Sequence, residues 1–374
     1  MPSWLKEGRG SLCGANVSLH LREMGITKPL LVAGERTKNV FFARTGMRLP
    51  VFDAFHPNPD LQDCVAGAAL YQEKGCDGLI SIGGGSAMDT AKGIKALLMT
   101  DIAHVRANQL PSEGNVPHLA IPGTAGTGAE TTAVAVLYED GQKLSVDHPA
   151  LLPDGVLLDG SLLDTLPEYH RKSCAMDALA QGIESWWAKK ATPGSRIHAE
   201  RAIRGVLDNL TAYLQGDRKA QDEMLHAAYE SGMAILTTRT TAAHAMSYQI
   251  TKKLGAAHGH ACMLTLPHLW AHLAAQAEYQ PMLTELSRIL GGEKPMDGAI
   301  LLKGLLAVLE LDKIPMPDDA TLDMLAASVN PERLGNHPEA LTTAQLRAIY
   351  VQAFTPMTDT ERAEAIAAWE QYGK

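Results

Sequence analysis

Three groups of residues in this chain have types and spacing that could do chemistry. The first is Gly83-Gly84-Gly85-Ser86-Ala87-Met88-Asp89-Thr90-Ala91-Lys92, which follows directly on the apolar run Gly78-Leu79-Ile80-Ser81-Ile82. A strand that ends in glycines and opens into a helix presents backbone N–H groups and a helix N-terminus to an anion, which suits a diphosphate. The same glycines could also be plain punctuation between two elements. The second group is Asp177 and Gln181, spaced i, i+4 and so placed on one helix face. The third is His244 with Tyr248 at the same spacing, followed after a bend at Gly255 by His258-Gly259-His260. An Asp, one or two His and an amide oxygen could hold a divalent metal of the Fe²⁺, Zn²⁺ or Mn²⁺ kind. Taken singly, any of the 14 histidines is more simply an ordinary core or surface residue; only the set points to a metal.

The elements that must position these residues change character near the middle of the chain. Residues 28–34, 49–52, 78–82 and 118–122 read as short buried strands, and 61–74 and 86–99 carry apolar residues at helical spacing. Strand–helix alternation with glycine-rich strand ends predicts an α/β unit, a parallel sheet covered on both faces, whose ligands bind at the carboxyl ends of the strands. From Pro167 onward, amphipathic stretches near 168–188, 195–215, 219–237, 240–254, 260–278, 297–309 and 343–372 predict an all-α unit. The boundary is expected in residues 163–167, giving a dinucleotide-binding domain over 1–165 and a helical metal- and substrate-binding domain over 166–374.

Composition narrows the function class. Of the 374 residues 46% are hydrophobic, and 33 basic against 42 acidic residues leave a formal net charge of −9 with no Lys/Arg cluster. Nucleic-acid binding is not expected from such a chain. Residues 1–7 lack the apolar core of a signal peptide, no apolar run of membrane-spanning length follows, and the five cysteines are scattered without a CxxC. A cytoplasmic protein with reduced thiols and no membrane partner is expected.

The groups, in order and spacing, resemble the iron-containing (group III) alcohol dehydrogenases: Gly83-Gly84-Gly85-Ser86-x-x-Asp89-x-x-Lys92, Pro122-Gly123-Thr124-Ala125-Gly126-Thr127-Gly128-Ala129-Glu130, Met176-Asp177-Ala178-Leu179, His244 and His258-Gly259. The resemblance implies a Rossmann-like N-terminal domain, a helical C-terminal domain, and NAD(P)-dependent, metal-assisted interconversion of a small alcohol and aldehyde. It implies cofactor contacts from Asn58, Gly84, Gly85, Ser86, Asp89, Thr124, Thr127, Lys143 and Leu166, and metal ligation by Asp177, His244 and His258, with Fe²⁺ or Zn²⁺ as the ion. Members are often dimers or larger homo-oligomers.

Two positions depart from the pattern. Gln181 stands where metal-dependent members carry a fourth ligand, a His, and Tyr248 stands where they carry a second His. Gln181 keeps the ligand charge at −1 but donates more weakly, so metal affinity should fall or a water complete the site. Tyr248 is read as a proton relay or substrate-positioning hydroxyl, or as filler for the missing His. At the end of the second strand Gly34 replaces the acidic residue of NAD-specific members, and Arg36, Thr37 and Lys38 follow, so NADP(H) is expected over NAD(H), with Glu35 acting against it. The Gln181/Tyr248 pair resembles a subgroup associated with reduction of phosphonoacetaldehyde to 2-hydroxyethylphosphonate. Arg239, Lys252 and Lys253 are the cations that could meet such a dianion. The alternatives are a general short-chain alcohol dehydrogenase, a cyclising synthase or glycerol-type dehydrogenase of the same fold, and a catalytically silent dinucleotide-binding protein.

Overall fold

The structure, a computed structural model, describes residues 6–112 and 116–372; residues 1–5, read above for a leader, lie outside them. The chain divides into two compact units, Met1–Thr165 and Leu166–Lys374.

The first unit is a six-stranded parallel sheet with a separate hairpin. In chain order it comprises β1 (Lys6–Arg9), α1 (Gly14–Glu23), β2 (Pro29–Ala33), α2 (Glu35–Thr45), β3 (Val51–Phe52), α3 (Leu61–Lys74), β4 (Gly78–Gly83), α4 (Gly85–Met99), α5 (Ile102–Arg106), β5 (His118–Pro122), β6 (Val134–Glu139), β7 (Gln142–Asp147) and β8 (Gly155–Leu158). The strand order is β3-β2-β4-β5-β8-β1, every pairing parallel. β2, β4, β5 and β8 are buried along their whole length, as a sheet covered on both faces requires. Alternate side chains feed opposite layers: Leu30, Val32 and Leu79 join one core, and Leu31, Ala33, Ile80 and Ile82 the other.

The chain leaves β2 toward β3 and leaves β4 toward β5, so the strand order reverses between β2 and β4. Ala33 pairs with Ile82 there, which sets Gly34 and Gly83 side by side at the carboxyl ends, where such sheets bind ligands. β6 and β7 form an antiparallel hairpin whose turn residues Asp140 and Gly141 both have positive φ, 50° and 72°, matching the twist a two-residue hairpin needs.

The second unit is helical; its described residues contain no strand. It comprises α6 (Glu168–Trp187), α7 (Pro193–Leu214), α8 (Arg218–Thr238), α9 (Ala242–Gln249), α10 (His258–Ala274), α11 (Gln280–Leu290), α12 (Asp297–Val308), α13 (Asp319–Ala327), α14 (Pro331–Gly335), α15 (Thr343–Phe354) and α16 (Asp359–Tyr372). α6 is buried continuously from Ala175 to Trp187, a core helix with α7, α8 and α10 against it. The stretch expected over 343–372 is two helices, parted at 355–358 where Pro356 cannot continue a helix. The stretch expected over 240–254 is α9 plus a π-helical turn, Ile250–Leu254, that ends at Gly255 with φ 74°. No helix among the described residues is long and apolar enough to cross a membrane, and all five cysteines are free.

Candidate metal centre and cofactor loop

In the helical unit three segments converge on one buried point. α6 contributes Asp177, α9 contributes His244 and the start of α10 contributes His258. Nε2 of His244 lies 3.2 Å from Asp177 Oδ1, and Nε2 of His258 lies 3.9 Å from the same oxygen. Cys262, one turn beyond His258, joins them: one donor atom from each of the four lies within 4.8 Å of the others.

Close helix packing produces this convergence. A Cβ on Gly259 would run into the carbonyl of Ser173 and into Asp177, so only glycine lets α10 approach α6 this closely. The side chains of Asp177 and His244 are 4% and 5% exposed whereas that of His258 is 38% exposed, so the centre opens to solvent on the His258 side.

Surrounding groups fix each ligand. Nδ1 of His244 faces the fully buried carboxylate of Glu184, whose Oε1 also accepts from Thr241 Oγ1 (2.6 Å) and the Ala243 amide (2.8 Å). A carboxylate on Nδ1 holds that proton in place and turns the Nε2 lone pair toward Asp177. Two acceptors at 3.2 Å repel unless a proton or a cation lies between them. The imidazolium proton fills that place, and an ion can replace it, because a carboxylate, two imidazoles and a thiol within 4.8 Å of one another are divalent-ion donors. Ser247 Oγ, 3.3 Å from Nδ1 of His258, orients that ring.

The ionisation directions are those of paired charges, with His244 protonated against Asp177 and Glu184. Burial opposes the charge on Asp177, but His258, His244 and Gln181 outweigh it and hold the carboxyl below its usual range. Burial likewise opposes charge on Glu184 and on the imidazoles. His244 and Thr241 nevertheless draw Glu184 down, and Cys262 and Glu184 raise His244 well above normal. Cys262 itself, against burial, is brought down to about 7 by His244 and His258.

Gln181 lies beside the centre, its amide held between Asp177 and Ser231. Its Nε2 donates toward Asp177 Oδ1 at 3.4 Å, and its Oε1 accepts from Ser231 Oγ at 2.8 Å. The Tyr248 ring lies parallel to that of His258, centroids 6.1 Å apart. His260 does not join the cluster; its ring bridges Tyr169 Oη (3.1 Å) and the Leu311 carbonyl (2.8 Å). Of the expected substrate cations, Arg239 donates to the Leu236 carbonyl (2.6 Å) at the end of its own helix, while Lys252 and Lys253 are exposed on the π-helical turn.

In the α/β unit the glycine-rich turn and its expected neighbours also come together. Gly83 has φ 149°, open to glycine alone, and the chain then enters α4 at Gly85. A side-chain carbon on Gly84 would lie 3.2 Å from Thr124, and one on Gly85 3.5 Å from Thr127. The Asn58 amide donates to Ser86 Oγ at 3.3 Å. Lys92 is fully buried and donates to the carbonyls of Ala129 (2.7 Å) and Val134 (2.9 Å), pinning the second loop to α4. Asp89 accepts from the Val136 amide, and its carboxyl is raised to about 6 by burial, which Lys92 and Lys143 only partly offset. Lys143 is exposed on β7. At the end of β2, Gly34 caps α2, Arg36 is exposed in its first turn, and Lys38 pairs with Asp53 at 2.5 Å. Leu166 opens the helical unit ahead of α6.

Sequence reasoning missed Glu184 and Cys262. The signal was there: Glu184 follows Asp177 by seven residues on the same helix face, and Cys262 follows His258 by four.

Comparison with known proteins bears on the chain as a whole. The chain is 36% identical to the phosphonoacetaldehyde reductase of Streptomyces viridochromogenes over 228 residues, 57% of this chain and 58% of that one, which is less than two thirds of that relative. It is 30% identical to the NAD-dependent methanol dehydrogenase of Bacillus methanolicus over 299 residues, 75% and 77% of the two chains. The crystal structure of sulfoacetaldehyde reductase from Bifidobacterium kashiwanohense, in complex with NAD⁺, superposes with a TM-score of 0.85 at 26% identity, covering 95% of this chain and 97% of that one. These relatives are oxidoreductases acting on alcohols and aldehydes. A model of the iron-containing alcohol dehydrogenases matches residues 3–160, and one of the C-terminal part of the Fe-containing alcohol dehydrogenase family matches 172–354. With both halves matched in order, the chain belongs to the iron-containing alcohol dehydrogenase family.

Proposed function

We propose that this chain reduces a small aldehyde to its alcohol with a nicotinamide dinucleotide and a divalent ion, and that the preferred aldehyde carries a tetrahedral anion, as in phosphonoacetaldehyde. The observation that carries the reading is the convergence of Asp177, His244 and His258, each held by a second group, in a chain that also builds the Gly83–Ser86 turn. When bound, the ion supplies Lewis acidity toward a carbonyl oxygen and the dihydronicotinamide supplies hydride.

The chain's own residues do the rest. Glu184 keeps Nε2 of His244 free to ligate, and Ser247 does the same for His258. Gly84, Gly85 and Ser86 offer backbone N–H groups to the diphosphate, with Asn58, Thr124 and Thr127 around them. Tyr248, parallel to the His258 ring, is placed to hold or pass the proton an alkoxide needs. Lys252 and Lys253, on the turn leading into α10, are the cations we assign to the substrate anion. Arg239 is engaged in capping α8 and takes the smaller part.

For the cofactor we favour NADP(H): Gly34 leaves space at the ribose position and Arg36 stands exposed beside it, though Lys38 is committed to Asp53. Five free thiols suit a reducing compartment, so we place the protein in the cytoplasm.

A screen of NADPH and NADH oxidation over phosphonoacetaldehyde, sulfoacetaldehyde and simple aliphatic aldehydes tests both assignments. The reading expects the highest kcat/KM with NADPH and an anionic aldehyde. Higher kcat/KM with unsubstituted aldehydes would make the chain a general short-chain alcohol dehydrogenase, and no oxidation with any aldehyde would make it a silent binding protein.

A further inference from the structure

The helical unit places a further donor, Cys262, beside the three expected ligands. A tetrahedral ion with bonds of about 2.0–2.3 Å holds its donors roughly 3.3–3.8 Å apart. The observed separations straddle that range: 3.2 Å from His244 to Asp177, 3.9 Å from His258 to Asp177, and 3.9 Å from Cys262 Sγ to His258 Nε2. Gln181 is engaged otherwise. Its amide spans Asp177 Oδ1 at 3.4 Å and Ser231 Oγ at 2.8 Å, and Ser231 in turn reaches the Ala228 carbonyl at 2.8 Å.

We infer that Cys262, and not Gln181, is the fourth protein donor with Asp177, His244 and His258, so that the site takes a thiolate-tolerant divalent ion of the zinc class, with the carbonyl oxygen entering as a fifth donor. The inference rests on the reading that this unit binds an ion at all. Its geometry follows from the helix. His258 and Cys262 sit one turn apart on α10, and Gly259 brings that turn against α6, so a side chain fixed on His258 carries Cys262 with it. Cys262 is fully buried, and a buried cysteine is usually a small apolar filler. Here its sulfur instead faces imidazole nitrogen.

The consequence is electrostatic and selective. Asp177 and a Cys262 thiolate bring two negative charges, and the two imidazoles bring none, so a divalent ion is neutralised. With Gln181 as the fourth ligand it would keep a net positive charge. Thiolate favours Zn²⁺ and its substitute Co²⁺ over the hard ions Mg²⁺ and Mn²⁺. Ligation displaces the thiol proton to solvent, so zinc uptake should release protons.

The test uses the whole chain loaded with zinc or cobalt. X-ray absorption at the zinc edge should show a sulfur scatterer at about 2.3 Å. The cobalt form should show an intense near-ultraviolet sulfur-to-cobalt band. That band should vanish in Cys262→Ser, with at least about a tenfold loss of zinc affinity, and persist in Gln181→Ala. If Cys262→Ser fails to fold, the wild-type absorption spectrum decides alone. A bound ion surrounded only by nitrogen and oxygen would overturn the assignment while leaving the metal-assisted reading standing. No ion bound under any loading condition would overturn both.

Discussion

Glu184 and His244 form a buried pair in which the carboxylate faces Nδ1 of the imidazole while its other oxygen gathers Thr241 Oγ1 and the Ala243 amide. One carboxylate on α6 thus fixes the start of α9 and the direction in which His244 points. Glu184→Gln removes the charge but keeps the volume. Divalent-ion affinity should fall about 10–100-fold, measured by competition with a chromophoric chelator. An unchanged dissociation constant would show that Glu184 only packs.

Gly259 sets the spacing between α10 and α6. Gly259→Ala places a carbon against the Ser173 carbonyl and against Asp177. Both obstacles belong to the backbone and core of α6, so neither can swing aside. The change should destabilise the chain by about 1–3 kcal/mol and lower ion affinity, seen together in denaturant midpoints and in metal content after dialysis. A variant with native affinity and stability would mean that the helices part freely.

How much of this was legible in the sequence follows from what each residue type reveals. Gly78–Gly83 and its glycine-rich exit could be read because a fully buried parallel strand is a continuous apolar run and a turn that needs glycine φ marks its end. Asp177, His244 and His258 could be proposed as a set through the family pattern, but their separation of 67 and 81 positions along the chain from α6 hides the convergence from any local rule. Glu184 looks like any acidic residue of an amphipathic helix until α9 is folded onto it. Cys262 looks like a small apolar residue until α10 turns it toward the imidazoles. The hairpin β6–β7 went unread although Asp140-Gly141 carries its turn signal. The break at 355–358 also went unread, although Pro356 marks it locally.

His337 is fully buried, its ring lies edge-on to Trp187 with centroids 5.7 Å apart, and neither ring nitrogen has a partner among the described residues. Burial holds its pKa down to about 4. The unfolded chain binds a proton here below about 6.5 and the folded chain does not. Stability is therefore full above that pH and is lost as pH falls from 6.5 toward 4, by up to about 3 kcal/mol at pH 4. His268, lowered to about 4 by burial and Lys303, acts in the same sense. His337→Phe should flatten, without abolishing, the fall in urea midpoint between pH 6.5 and 4. An unaltered pH profile would show that this ring is charged in the folded chain.

Tyr248 lies parallel to His258 on the side of the centre that opens to solvent. Tyr248→Phe keeps the ring and removes the hydroxyl. A role in proton transfer predicts a fall in kcat of about 100-fold with aldehyde KM little changed. An unchanged kcat would reduce the residue to filler, and a rise in KM alone would make it a substrate-positioning group.

The most direct measurement is metal content set against aldehyde-dependent NADPH oxidation for wild type, Asp177→Ala and His258→Ala, each chelator-stripped and then reloaded. The account predicts about one divalent ion per wild-type chain, oxidation that disappears on stripping and returns on reloading, and loss of both ion and oxidation in the two variants. Full oxidation by the metal-free wild-type chain, or wild-type ion binding by Asp177→Ala, would contradict it.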